Sequence, residues 1–214
     1  MNPAELEEAV AAGEAALRAA SDGALPLQHR RQIWLALGPV ERQGNLVLVG
    51  EGAIRRSSLA SAAVARVLPL WRSKWPNETT PEKLLSSVGE YIEGRLGRDD
   101  AIALADDFFA TLEGEYPLED SVTSVGQAAV IALKTPIFER GLDPEYAHCK
   151  ADDELDPWGW DAAFAASIAA AEGAPWEQAG LADRRRDFWR WYLQQARMVA
   201  AEPLRWTSPR LHGG

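Results

Sequence analysis

The amino-acid sequence predicts an all-α fold, an irregular bundle of about eight helices, and three observations lead there. Apolar residues recur at steps of three and four along most of the chain, and capping residues or cap-then-proline pairs stand ahead of several of these stretches. Only "NLVLVG", residues 45 to 50, reads as a strand. One isolated short strand cannot build a sheet, so helices must supply the core for one another. Matching positions do not recur at any period of about 20 to 50 residues, which speaks against a helical-repeat solenoid.

The elements follow in order. Asn2, Pro3 and Glu5 supply an N-cap, a proline in the first turn and an early acid for a helix to about Ala20. After the break "SDGALP", a second helix runs from about Leu27 to Leu37, with Ile33, Trp34 and Leu37 on one side, and Gly38-Pro39 stops it. A third, from about Ala53 to Lys74, places Leu59, Ala63, Val67 and Leu70 on one face, and Pro69 is expected to kink or end it. Thr80-Pro81-Glu82 opens a fourth helix to about Leu96, and Asp99 or Asp100 caps a fifth that ends near Tyr116. Ser121 starts a sixth, through Val125, Ala129 and Leu133 to about Arg140. Asp156-Pro157 repeats the cap-then-proline signal for a seventh, which then carries Trp160, Phe164 and Ile168 as one stripe, and its many alanines let neighbours approach closely. Asp183 opens an eighth to about Ala201, whose apolar arc is wide enough to meet two or more neighbours.

With 214 residues, 47% hydrophobic and 25% charged, the chain is expected to form one domain over residues 1–214, with a flexible tail from about residue 203. The Ala162–Ala171 run is interrupted by Ser167 and falls short of the roughly 20 apolar residues a bilayer needs. The acidic N-terminal stretch does not read as a secretory signal, so a cytoplasmic location is expected. A single cysteine, Cys149, agrees with a reducing compartment. The tryptophans read first as core, with Trp71, Trp75 and Trp206 also candidates for a dimer contact.

Charge is unevenly placed. Between Asp99 and Asp156 stand fifteen Asp or Glu against Lys134, Arg140 and Lys150, a net −12, whereas the whole chain carries −10. Such a surface repels phosphate backbones, so nucleic acid is excluded as a direct ligand and a basic protein partner fits better. A solvated face that promotes solubility is the plainer reading of the same charges.

Enzyme chemistry finds little to stand on. "HCKADDELD", residues 148 to 156, gathers an imidazole, a thiol and four acids, but the spacing matches no structural zinc pattern and no second ligand pair exists. As neighbours in sequence, His148 and Cys149 are not expected to oppose one another as base and nucleophile. The glycines of "LVLVGEGAIRRSS" lack phosphate-loop spacing. The expectation is therefore no catalytic set, no metal and no cofactor.

"DPWGWDAAFAAS", followed some 25 residues later by "RRRDFWRWYL", resembles the C-terminal half of the fifth numbered family of polymorphic-toxin immunity proteins. The resemblance covers Leu155 to Ala201. It implies an α-helical protein that protects a bacterial cell by binding a cognate toxin, and it names no site. Complementary charge then suggests a basic, nuclease-like toxin held on the acidic region, with Asp106, Asp107, Asp152, Asp153 and Glu154 as the partner-binding candidates. On this reading, Lys at 152, 153 and 154 slows association and leaves the fold intact. A helical adaptor or subunit with no toxin partner is the alternative.

Overall fold

A computed structural model describes residues 1–44, 46–117, 119–139, 141–142, 144–177 and 180–203. The expected tail and Trp206 lie outside these residues, apart from the tail's first residue, Pro203. The helices are α1 (Pro3–Ala19), α2 (Leu27–Ala36), α3 (Glu51–Lys74), α4 (Thr80–Ile92), α5 (Arg98–Glu115), α6 (Thr123–Phe138), α7 (Ala162–Ala171) and α8 (Ala182–Ala201). Single 3-10 turns lie at Pro144–Tyr146 and Asp152–Glu154. The expected lone strand is instead one arm of a two-residue antiparallel ladder, β1 (Arg42–Gln43) with β2 (Leu46–Val47). Among the described residues no helix is long and apolar enough to cross a membrane.

The core is built around α6. Its buried residues run almost without a break from Thr123 to Ile137, because α3, α4, α5 and α7 surround it. Gly126 lets two of these neighbours close in: a Cβ there would lie 2.7 Å from Leu112 of α5 and 3.2 Å from the Trp71 ring of α3. Helix α7 is as central as its alanines foretold, buried along nine of its ten residues between α3, α6 and α8.

Several boundaries differ from the sequence reading. Pro69 neither ends α3 nor breaks its packing, since Val67, Leu68 and Trp71 on either side are all buried and tertiary contact outweighs the lost backbone hydrogen bond. Helix α4 stops at Ile92, before Leu96. Gly97 caps α5 and leaves Asp99 and Asp100 in its first turn, where carboxylates suit the helix dipole. Helix α6 begins at Thr123, two residues after Ser121, and ends at Phe138, where Glu139 takes a left-handed conformation. Asp183 lies in the first turn of α8 and Leu181 is its N-cap. Along α8 the buried set is Arg185, Phe188, Trp189, Tyr192, Leu193, Ala196 and Val199, whereas Met198 stands exposed and Trp191 lies half-buried under Arg66.

The largest revision is at α7. Asp156 accepts a hydrogen bond from Gly159 N at 2.8 Å and closes a local turn, so Pro157 and Trp158 are not helical. Asp161 is the true cap, accepting from Phe164 N at 2.9 Å. Trp160 precedes the helix yet still meets Phe164 edge-on, with ring centroids 5.2 Å apart.

Buried ions tie the irregular segments to the helices. Arg56 of α3 forms a two-pronged pair with Glu139, at 2.6 and 2.7 Å, and donates to the carbonyls of Trp34, Gly38 and Pro39. Both side chains are almost wholly withdrawn from water. Arg56→Met strands the Glu139 carboxylate and three carbonyls; we expect a loss of about 3–5 kcal/mol, measured as a lower urea midpoint with unchanged slope.

Candidate functional site

The acidic segment is held in place by two consecutive arginines of α2. Arg30 is fully buried. Its Nε donates to Asp161 Oδ2 at 3.0 Å, and its Nη1 donates to Asp152 Oδ2 at 3.0 Å and to the Leu25 carbonyl at 2.7 Å. Three rings border the guanidinium: Trp189 at 5.2 Å, Phe164 at 5.3 Å and Trp34 at 6.0 Å. Arg31 turns the other way and donates to the carbonyls of Gly141, Tyr146 and Cys149 at 3.1, 2.7 and 2.6 Å. Together they strap the chain between α6 and α7 onto α2.

This changes the role of Asp152. Its carboxylate turns inward onto Arg30, so it is not a free surface charge. Burial pushes the Asp152 carboxyl up, Arg30 opposes by charge and hydrogen bond, and the nearby Asp161 charge adds to the rise. Tyr192 belongs to the same cluster. Its hydroxyl accepts from Trp34 Nε1 at 2.7 Å, and burial first, then the Asp161 charge, drives its ionisation far above the ordinary tyrosine value. A cavity of ≈ 20 Å³ beside Asp161, Arg56, Thr135 and Tyr192 has room for one water.

Asp153 and Glu154 remain at the surface, where Glu154 also accepts from Lys150 N at 2.7 Å. Beside them opens a cleft of ≈ 580 Å³ lined by Asp22, Lys150, Asp152, Asp153, Pro175 and Trp176, the last 50% exposed. His148 and Cys149, not expected to face each other, do so, with Nε2 3.5 Å from Sγ; the thiol is buried and points at the Glu154 carbonyl.

Asp106 and Asp107 lie on the outer face of α5. Residues Asp99, Ala103, Asp106, Ala110 and Glu113 follow at steps of four, three, four and three, with Asp100 and Asp107 alongside, and all seven are exposed. The face therefore presents carboxylates separated by methyl groups. Phe109, on the buried flank of α5 next to Asp106, meets Trp158 in a tilted arrangement with 4.1 Å between centroids. Lys134 lies 4.4 Å from the same ring and pairs with Asp106, which links the α5 acids to the loop that carries Trp158. At 39% exposure, Trp158 offers an anchored apolar surface beside those acids. Nothing in the spacing of residues foretells that Trp158 and Asp106 share Lys134 as a neighbour. Of the candidate dimer contacts, Trp71 is wholly buried and Trp75 is half-buried against it and Tyr116.

Two outcomes follow. Asp152→Lys buries a second cation against Arg30 and should cost about 3–5 kcal/mol, whereas Asp153→Lys should stay within about 0.5 kcal/mol, both read from urea unfolding; the triple lysine substitution therefore no longer isolates an interface effect. In an alkaline titration followed by tyrosine absorbance, Tyr192 should ionise only as the fold opens. Its native value is raised, so the unfolded chain loses that proton first and stability falls as pH rises past about 10. Tyr192→Phe should remove this contribution.

Among curated proteins none matches the chain. The family model for Immunity protein Imm5 matches residues 10–198, from the middle of α1 to the last turn of α8 and through every element described above. The chain belongs to the Imm5 immunity protein family.

Proposed function

We propose that the protein acts in the bacterial cytoplasm as the antidote to a cognate toxin, which it binds and neutralises through the acidic surface around α5 and Trp158. Family membership supports the immunity role. The observation that carries the choice of surface is the outer face of α5: five exposed carboxylates, at positions 99, 100, 106, 107 and 113, on one helix next to an exposed, immobilised tryptophan. An aromatic anchor beside a field of one sign is the arrangement that speeds encounter with an oppositely charged partner and then retains it. A basic toxin domain, such as one that acts on nucleic acid, matches that field, and occlusion of its basic face would block access to its target. Asp153 and Glu154 add exposed carboxylates on the strapped segment, whose Asp152 pairs inward with Arg30.

Growth rescue tests the role directly. Each reading frame neighbouring the gene is expressed in a heterologous host with and without this protein; specific rescue from one toxic frame is expected, and rescue from none would sink the immunity reading. The surface is tested on the purified pair. Asp107→Lys combined with Glu113→Lys should slow association at least about tenfold at low salt with little change in thermal stability, because neither carboxylate has an ion pair among the described residues. Trp158→Ala should act mainly on dissociation. An unchanged association rate for the double variant would move the interface away from α5.

A further inference from the structure

A second charged surface, of the opposite sign, lies between α1 and α8. Arg186, Arg190, Gln194 and Arg197 follow one another at steps of four, four and three and so share one stripe of α8. With Glu14, Leu17 and Arg18 of α1 they line a cleft of ≈ 260 Å³. Four guanidinium groups face a single lining carboxylate on a chain whose net charge is −10.

The partners of these arginines leave much of their donor capacity open. Asp183 pairs with Arg186 at 2.8 Å and Asp187 with Arg190 at 3.1 Å, each from three residues earlier on the same helix, and both acids stand mostly in solvent. Exposed pairs of this kind are weak and easily rearranged. Arg197 is held more firmly, by Glu7 at 3.0 Å and Glu14 at 2.7 Å, and Arg186 is fixed by its bond to the Ala20 carbonyl at 2.8 Å. Arg18 has no ion pair and no side-chain hydrogen bond among the described residues, although it stands in the last turn of α1 at the mouth of the cleft. Two arginines are thus anchored, and two, Arg18 and Arg190, are exposed and free to swing inward.

We propose that this cleft binds a small phosphate-bearing molecule, with Arg18 and Arg190 closing on the phosphate and Arg186 and Arg197 supplying the fixed positive wall. The planar guanidinium fork matches two phosphate oxygens at once, and a dianion with three terminal oxygens uses several such forks where a lone carboxylate uses one. The chain already supplies carboxylates to three of the four arginines, so a monoanion adds little. Gln194 provides an amide for the organic part of a phosphate ester. The volume, ≈ 260 Å³, admits a ligand of that size.

Thermal unfolding with pyrophosphate as the probe tests the site. The melting temperature should rise saturably with pyrophosphate and not with sodium chloride at the same ionic strength. Arg18→Ala with Arg190→Ala should weaken the apparent affinity at least about tenfold. Both side chains are exposed, so the unliganded double variant should melt as the wild type does. Gln194→Glu, which adds a carboxylate to the lining, should weaken binding in the same sense without removing an arginine. An equal rise in matched sodium chloride, or a rise that survives in the double variant, would overturn the assignment.

Discussion

The buried guanidinium of Arg30 is the point on which the arrangement of the surrounding elements depends. It joins α2 to the Asp152 turn, to the start of α7 and, through the Trp189 ring, to α8. Withdrawing a cation from water costs several kcal/mol, and a single carboxylate seldom offsets that. Here two carboxylates, a carbonyl and aromatic faces share the task. Asp161 serves twice, since one oxygen caps α7 by accepting from Phe164 N and the other accepts from Arg30. The charge cluster and the helix start are therefore one structure, and neither can be lost alone.

Other arginines repeat the principle. Arg31, Arg56 and Arg185 all direct guanidinium donors at backbone carbonyls in connecting segments, Arg185 reaching those of Asp22 and Gly173 at 2.8 and 2.7 Å. Carbonyls at helix ends and in loops have no ladder to satisfy them, and a planar side chain with five donors can gather several at once. Beyond the short β1–β2 ladder, the described residues have no sheet hydrogen bonds to fix the long irregular stretches. The arginines supply that order.

Helix existence was legible because period and caps agree, and α1, α2 and α8 lie within one or two residues of their expected bounds. The start of α7 was not, because Asp156-Pro157 and Asp161 are two cap signals five residues apart and only the turn closed on Gly159 decides between them. The buried arginines had a signal that composition hides. Arg30 shares its helix face with Leu27, Trp34 and Leu37, Arg56 with Ala53, Ala63 and Val67, and Arg185 with Phe188, Trp189 and Tyr192. An arginine on an apolar stripe asks for an acid partner. Which acid answers was beyond reach, since Arg30 and Asp152 stand 122 residues apart in sequence. The charge excess between Asp99 and Asp156 is visible in the sequence, while the division of its carboxylates into inward braces, such as Glu139 and Asp152, and outward charges on α5 required three dimensions.

That division carries a consequence for how such a protein changes over time. Apart from Asp106, which pairs with Lys134, the outward acids of α5 form no ion pair beyond that of Asp99 with its neighbour Arg98 among the described residues: the helix is fastened by Ala101, Ala105, Phe108, Phe109 and Leu112 on its other side. Side chains at 99, 100, 103, 107, 110 and 113 can be exchanged with little effect on folding. A surface uncoupled from its scaffold in this way can follow a drifting counterpart through successive substitutions, each judged on recognition alone.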